Sequence, residues 1–167
     1  MNHSGFHDEV SIVPYQEEWA HRFHTAKEMI IALLLSADIE CDVRHVGGTA
    51  IPGMCSKPIV DILVLVAPDE LEKAARMLTG TILCLGECGR PGRYFFSDGD
   101  SEHDAVYIHL TTPENKVAKD QLAFLKMLQS SPELRKQYAS LKMQLAEKYP
   151  HDRFWYRMEK ARSFRTA

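Results

Sequence analysis

The residues whose types and spacing could do chemistry are concentrated in one glycine-containing stretch. Gly47 and Gly48 stand side by side, followed by the hydroxyl of Thr49, and the amides of adjacent glycines can approach an anion closely. The ammonium of Lys57 and the carboxylate of Asp61 follow. The stretch predicts either a phosphate-binding turn or a plain tight turn between two strands. Spacing alone favours the plain turn.

Asp61 stands inside the apolar run Ile59–Val66, which is typical of a central strand covered on both faces. A charge buried in such a strand costs free energy unless it is paired, hydrogen-bonded or bound to a metal. The position therefore predicts either a structural ion pair with a basic neighbour or a functional site at the edge of the glycine turn.

Two later residues could join such a site. His109 shares one predicted strand face with Tyr107 and could serve as a metal ligand, a general base or a phosphate partner. The strand pattern alone favours a polar side chain on a half-solvated face. Arg93 precedes an aromatic run, and its guanidinium suits bidentate phosphate recognition. A solvated turn arginine is an equal alternative. Lys142 and Lys160 lie on predicted helices, where solvent-facing charges are the expectation.

Cysteine chemistry offers two weaker alternatives. The donors of a zinc site would be Cys84, Cys88, His103 and His109. The loose spacing and the apolar setting of Cys84 favour simple thiols instead. A nucleophilic pair of Cys55 and His45 has no further support in the sequence.

Composition describes an ordinary globular domain. The 167 residues carry 20 basic and 23 acidic side chains, a net charge of −3, and 45% are hydrophobic. The longest apolar runs fall far short of the roughly 18–20 residues that cross a bilayer, so no membrane partner is expected. The slight acidity argues against a nucleic-acid partner. The first residues lack the pattern of a signal peptide, which predicts a cytoplasmic location. We expect a flexible tail over 1–10 and one domain over 11–167.

Hydrophobic periodicity predicts the elements that must position these residues. A buried stripe from Glu17 to Leu34 indicates an amphipathic helix, and alternation over 39–45 indicates a strand before the glycine turn. The other predicted elements are strands over 59–66, 82–85, 93–97 and 105–111 and helices over 70–78, 116–129, 132–149 and 151–162. Asp69 and Ser131 are candidate helix caps. This order predicts a mixed sheet with helices packed on it, an α/β or α+β domain.

The segment His45–Ile62 resembles the signature of the GrpB family, whose fold is nucleotidyltransferase-like. The matching positions are His45, Gly47, Thr49, Pro52, Gly53, Lys57, Pro58 and Asp61. Pro14-Tyr15, Trp19 and Phe23 resemble the family's N-terminal pattern, and the predicted C-terminal helices resemble its last part. The resemblance implies a mixed sheet flanked by helices, with a helical C-terminal region.

The resemblance also implies a site that binds a nucleotide or another phosphorylated small molecule. Its catalytic residues would be Asp61, His109 and His45, with Asp61 and His109 as ligands of Mg²⁺. Its phosphate-binding residues would be Gly47, Gly48, Thr49, Lys57 and Arg93. Two positions depart from the pattern: Gly48 stands where the family has serine, and Leu63 stands where two-metal nucleotidyltransferases have a second acid.

Three functions follow as alternatives. The first is binding of a phosphorylated ligand with metal-dependent transfer of a nucleotidyl group. The second is a binding module without catalysis, which Gly48 and Leu63 favour. The third is a protein-interaction domain that uses the C-terminal helices and would expose an apolar stripe on them.

Overall fold

A computed structural model describes residues 9–99 and 105–165. The strands in these ranges are β1 Asp42–Val46, β2 Val60–Leu65, β3 Leu83–Cys84, β4 Tyr94–Asp98 and β5 Val106–Thr111. The helices are α1 Glu18–Leu35, α2 Leu71–Thr79, α3 Lys116–Ser130, α4 Pro132–Lys148 and α5 Arg153–Arg165. The predicted mixed α/β architecture is confirmed.

The strands form one mixed sheet in the order β1-β2-β5-β4-β3. β2 and β5 run parallel, and every other pair is antiparallel. In the parallel pair Asp61 lies opposite Tyr107, and Leu63 lies opposite His109. Asp61 and His109 are therefore diagonal neighbours on one face of the two central strands.

Helices α1 and α2 cover the opposite face of the sheet. The predicted stripe of α1 is buried there, including Trp19, Ile30 and Leu34, each with no exposed surface. Ile62 and Ile108 contribute to the same cluster from the sheet. Burying a side chain of this size stabilises the folded state by about 1.5–3 kcal/mol, so this layer contributes much of the stability of the fold.

The C-terminal helices cover the face that carries Asp61. Leu63 and Leu65 pack against Ala118 of α3 in a small apolar cluster, while α4 and α5 pack on each other further along. All six residues of β5 are buried. The expectation of a half-solvated strand around His109 is therefore wrong, because α3 to α5 close this face.

Of the two predicted helix caps, one is confirmed and one is not. The Ser131 hydroxyl accepts a hydrogen bond from the Leu134 amide at 3.2 Å, so the predicted cap of α4 is confirmed. Asp69 lies within a 3-10 turn over Pro68–Glu70 and does not cap α2. The proline starts a turn one residue ahead of the predicted cap, which displaces the helix start to Leu71.

Parts of two predicted segments lie outside the described ranges. The first is the N-terminal tail, of which residues 1–8 lie outside. Val10, the last residue of that predicted tail, is buried, and its amide donates to the Pro150 carbonyl at 2.8 Å. The polar run 98–102 predicts a hairpin turn between β4 and β5, and its residues 100–102 also lie outside. Within the described ranges, no helix is both long and apolar enough to cross a membrane. Helix α5 exposes the apolar side chains of Phe154, Trp155 and Met158.

Candidate functional site

A cleft of about 560 Å³ opens between the Asp61 face of the sheet and helices α3 to α5. The residues that were predicted from sequence and line it are Gly47, Gly48, Thr49, Lys57, Asp61, Arg93 and His109. His45 is not among its lining residues. Seven positions from four separate segments thus converge on one cavity.

A hydrogen-bonded chain runs across the floor of the cleft. The Arg93 guanidinium lies 3.0 Å from Nδ1 of His109, and Nε2 of His109 lies 3.3 Å from Oδ1 of Asp61. A guanidinium can only donate, so Nδ1 must accept and the neutral ring carries its proton on Nε2. The ring therefore donates to Asp61. Both nitrogens of His109 are engaged, which leaves neither free for a metal in this arrangement.

Arg93 is a buried residue, not the solvated turn arginine that the sequence offered as an alternative. Its side chain is 5% exposed, donates to the Glu87 carbonyl at 2.8 Å and lies over the Phe95 ring at 4.9 Å. Burial lowers the pKa of the guanidinium, with the neighbouring charge of Arg90 acting in the same direction. Within 9–99 and 105–165 no carboxylate oxygen lies within 4 Å of this cation, and a buried cation without a counter-ion favours an anion in the cleft.

Gly47 brings the glycine turn into contact with Asp61. Its φ of 76° lies in the left-handed region, and a Cβ at this position would stand 2.8 Å from Oδ2 of Asp61. Glycine is required here for both reasons. The close approach places the Asp61 carboxylate beside the glycine turn.

His45 and Thr49 support the turn from behind. The Thr49 hydroxyl donates to the Ile59 carbonyl at 3.1 Å and lies 3.0 Å from Nε2 of His45. Its single proton is used, so it accepts from His45 and has none left for a phosphate. The His45 ring stacks on Phe23 at 4.8 Å, and burial lowers the pKa of His45 to about 4. The geometry gives His45 a structural position.

Ser56 and Lys142 are lining residues that the sequence analysis missed. Lys142 is 3% exposed and donates to Ser56 Oγ at 2.8 Å and to the Cys55 carbonyl. Burial lowers the pKa of this lysine to about 8. The expectation of a solvent-facing lysine is wrong. Lys142 stands between Tyr138 and Leu145 on the buried stripe of α4, a spacing that could have revealed it.

Helix α5 supplies a basic wall to the cleft. Arg153, Arg157 and Lys160 recur at helical spacing and all line the cavity. Lys57 and Lys160 lie 5.6 Å and 5.2 Å from the centre of the Tyr156 ring. Burial raises the pKa of Tyr156 to about 12. Lys160 therefore belongs to the cleft rather than to the open solvent face predicted for it.

The charges that line the cleft are strongly unequal. Among the residues that the structure describes, the basic ones in the lining are Lys57, Arg90, Arg93, Lys142, Arg153, Arg157 and Lys160, and the acidic one is Asp61. Three buried side-chain atoms of lining residues have no hydrogen-bond partner among the described residues: Nε of Arg93, Oε1 of Gln121 and the Tyr156 hydroxyl. Buried polar atoms usually have partners, so these three are groups that a polar ligand or water in the cleft would satisfy.

The donor set does not fit a metal ion held by the protein alone. No group of three histidine, cysteine, aspartate or glutamate side chains that could hold a metal occurs in the described part of the chain. Leu63 packs in the apolar cluster under α3, so no second acid stands beside Asp61. All four cysteines are free thiols, and His103 of the zinc alternative lies outside the described residues. A Mg²⁺ ion at Asp61 would take its remaining oxygen donors from water and from phosphate groups of a bound molecule.

The fold is shared with nucleotidyltransferases. A cytoplasmic RNA terminal U-transferase superimposes with a TM-score of 0.53 at 11% identity, over 81% of this chain and 43% of that one. Cid1 in complex with the UTP analogue UMPNPP superimposes with a TM-score of 0.52 at 13% identity, again over 81% of this chain and 43% of that one. At this identity the likeness establishes the fold alone.

The family follows from nearer relatives. The GrpB protein profile matches residues 9–167, and the crystal structure of GrpB from Enterococcus faecalis superimposes with a TM-score of 0.75 at 25% identity, over 87% of this chain and 88% of that one. The chain belongs to the GrpB family. It is 30% identical to the glutamate-rich protein GrpB of Alkalihalophilus pseudofirmus, over 91% of this chain and 90% of that protein. It is 33% identical to the UPF0157 protein YqkA of Bacillus subtilis, but spans only 41% of that protein's length.

Proposed function

We propose that the cleft binds a phosphorylated small molecule, such as a nucleotide, through cations that the protein itself supplies. The observation that carries this proposal is the charge of the described lining, where seven basic side chains stand against the carboxylate of Asp61. Cations that converge on one cavity raise the local concentration of an anion and stabilise it when bound. Phosphate groups carry the charge that such a lining would balance.

Buried groups inside the cleft support the same proposal. Arg93 and Lys142 are 5% and 3% exposed, and neither has a carboxylate oxygen within 4 Å among the described residues. Burying a cation without a counter-ion costs free energy, and a bound phosphate would offset that cost. The unpartnered Nε of Arg93 would donate to such a phosphate, and Oε1 of Gln121 would accept from a hydroxyl elsewhere on the ligand.

The site residues take distinct roles in this proposal. Lys57, Arg93 and Arg157 neutralise phosphate charge, and the Gly47-Gly48 amides lie at the anion. His109 donates to Asp61 and holds its carboxylate in one orientation. Asp61 then accepts hydrogen bonds from ligand hydroxyls or shares a ligand-bound Mg²⁺. Thr49 and His45 keep the turn in place.

A binding module without catalysis fits this lining better than a metal-dependent transferase. Transfer of a nucleotidyl group through two metals needs acids that bridge the ions, and Asp61 is the one acid that the described lining supplies. The transferase alternative is tested by incubating the protein with a nucleoside triphosphate labelled at the α-phosphate and Mg²⁺ or Mn²⁺. A labelled product that is lost in the Asp61→Asn variant would establish transfer.

Titration calorimetry tests the proposal directly. Tripolyphosphate, ATP and UTP are titrated into the protein, in EDTA and then in Mg²⁺. We expect binding in EDTA, weakened about fivefold in the Arg157→Met variant, since one charge near a phosphate is worth roughly 1 kcal/mol in a solvated site. Arg162→Met is the matched control, because Arg162 is also exposed on α5 but does not line the cleft. Failure of all three ligands to bind in either buffer would overturn the proposal.

A further inference from the structure

We propose that the Ser56 hydroxyl, backed by the Lys142 ammonium, donates a hydrogen bond to a phosphate bound in the cleft. The hydroxyl fills the space that a side chain at position 48 would occupy. This inference rests on the proposed function, because it names the donor that the bound phosphate meets beside the glycine turn. Neither residue was a candidate from the sequence motif.

The geometry of Gly48 ties the two positions together. A Cβ built on Gly48 would lie 2.2 Å from Oγ of Ser56 and 3.0 Å from Nζ of Lys142. No side chain fits at position 48 while Ser56 holds its present rotamer. The place toward which a residue at position 48 would project is filled by a hydroxyl from eight positions further along the chain.

The backbone of Ser56 is firmly anchored. Its amide donates to the Val13 carbonyl at 3.0 Å, and its carbonyl accepts from the Val13 amide at 3.0 Å. The residue is 4% exposed, and it lines the cleft. An anchored hydroxyl loses little conformational freedom when it binds a ligand.

In its hydrogen bond with Lys142, Ser56 is the acceptor, so the hydroxyl proton of Ser56 can be donated to another group. Lys142 has no acceptor atom, so it donates to Ser56 Oγ at 2.8 Å. The hydrogen bonds of the described chain give the Ser56 O–H no acceptor of its own. Thr49 differs, because its proton goes to the Ile59 carbonyl at 3.1 Å. Of the two hydroxyls beside the glycine turn, Ser56 is therefore the one that can donate to a phosphate.

Lys142 adds a positive charge behind this donor. Its ammonium is held by Ser56, by the Cys55 carbonyl and by the Tyr138 ring at 4.8 Å from the ring centre. A cation that donates to a hydroxyl polarises it, and so strengthens the bond that the hydroxyl donates to an anion. Ser56 and Lys142 act as one unit in this arrangement.

The test is a reciprocal exchange of the hydroxyl between the two positions. Affinity for tripolyphosphate is measured by calorimetry in EDTA for the wild type, Ser56→Ala, Gly48→Ser and the double variant Gly48→Ser/Ser56→Ala. Loss of a hydrogen bond to a charged group predicts about tenfold weaker binding for Ser56→Ala. Gly48→Ser adds a side chain against Ser56 and should also weaken binding. The double variant removes that clash, returns a hydroxyl to the same space and should recover most of the affinity.

Ser140→Ala is the matched control, since Ser140 is exposed on the same helix as Lys142. Thermal unfolding of each variant shows whether it is folded, and affinities are compared only among folded proteins. Equal affinities for the wild type and Ser56→Ala would overturn this inference and leave the proposed function standing. A double variant that binds as weakly as Ser56→Ala would also overturn it. A wild type that binds ATP or UTP but no tripolyphosphate would overturn this inference alone, whereas a wild type that binds none of the three contradicts the proposed function itself.

Discussion

The guanidinium of Arg93 donates to Nδ1 of His109 across 3.0 Å, and this one bond decides what His109 presents to Asp61. With Nδ1 accepting, the neutral ring must carry its proton on Nε2, which faces Oδ1 of Asp61 at 3.3 Å. A buried arginine thus sets the tautomer of a histidine, and the histidine in turn orients a carboxylate. Asp61 lies on β2, His109 lies on β5, and Arg93 directly precedes β4.

Replacing Arg93 should remove the preference of the His109 ring for this tautomer. In Arg93→Met the acceptor position of Nδ1 loses its donor, so we expect His109 to populate both neutral tautomers. Nitrogen-15 NMR of the imidazole rings distinguishes the tautomers at pH 7.5. Arg90→Met is the control, because Arg90 also lines the cleft but is exposed and makes no bond to His109 in the described structure. An unchanged Nε2–H signal in Arg93→Met would show that Asp61 alone selects the tautomer.

Gly47→Ala should destabilise the fold more than Gly53→Ala. Both glycines have positive φ, 76° and 78°, so both substitutions carry backbone strain of about 1 kcal/mol or more. A Cβ at Gly47 would also meet Oδ2 of Asp61 at 2.8 Å, whereas a Cβ at Gly53 would meet nothing within 4 Å. Urea unfolding measures the difference. Adding Asp61→Ala to each variant should bring the two costs together, and a difference that persists would place its cause elsewhere.

Periodicity and composition were sufficient to predict the helices, the strands and the mixed sheet, because each element carries its own apolar pattern. Asp61 was also predictable, since one acid in an apolar strand is a local anomaly. Ser56 and Lys142 were not found, because their contact joins positions 86 apart and depends on how α4 docks on the sheet. The role of Thr49 was equally hidden, since its partner is a backbone carbonyl brought close by the turn.

Acid should destabilise the wild type partly through His45. Burial lowers the pKa of His45 from 6.5 to about 4, so below pH 6.5 the unfolded chain takes up a proton that the folded chain does not. Stability is therefore lost as pH falls through this window, on the order of 2–3 kcal/mol between pH 7 and pH 4.5. Urea unfolding of the wild type and His45→Gln at each pH checks this. The stability gap between the two proteins should shift with pH, and a constant gap would contradict the prediction.

At alkaline pH, the stability of the protein should report the lowered pKa of Lys142. Burial lowers the pKa of Lys142 from 10.5 to about 8, so above pH 8 the folded chain releases a proton that the unfolded chain still holds. The stability of the wild type should rise relative to Lys142→Met by about 2 kcal/mol between pH 7 and pH 9.5. Tyr138 and Tyr156 are present in both proteins, so their contributions cancel in the difference. A pH-independent difference would show that Lys142 keeps an ordinary affinity for its proton.

Asp61→Asn separates binding by protein cations from binding through a metal. The amide has nearly the shape of the carboxylate, and its oxygen can still accept from Nε2 of His109. Removing the carboxylate of Asp61, the one acid among the described lining residues, raises the positive charge of the cleft. If the protein's own cations hold the phosphates, tripolyphosphate in EDTA should bind a few-fold more tightly to Asp61→Asn than to the wild type. If a divalent ion bridges Asp61 to the phosphates, wild-type binding should need Mg²⁺ and the variant should lose it. Calorimetry on the two proteins in the two buffers distinguishes these results, and the second pattern would contradict metal-independent binding.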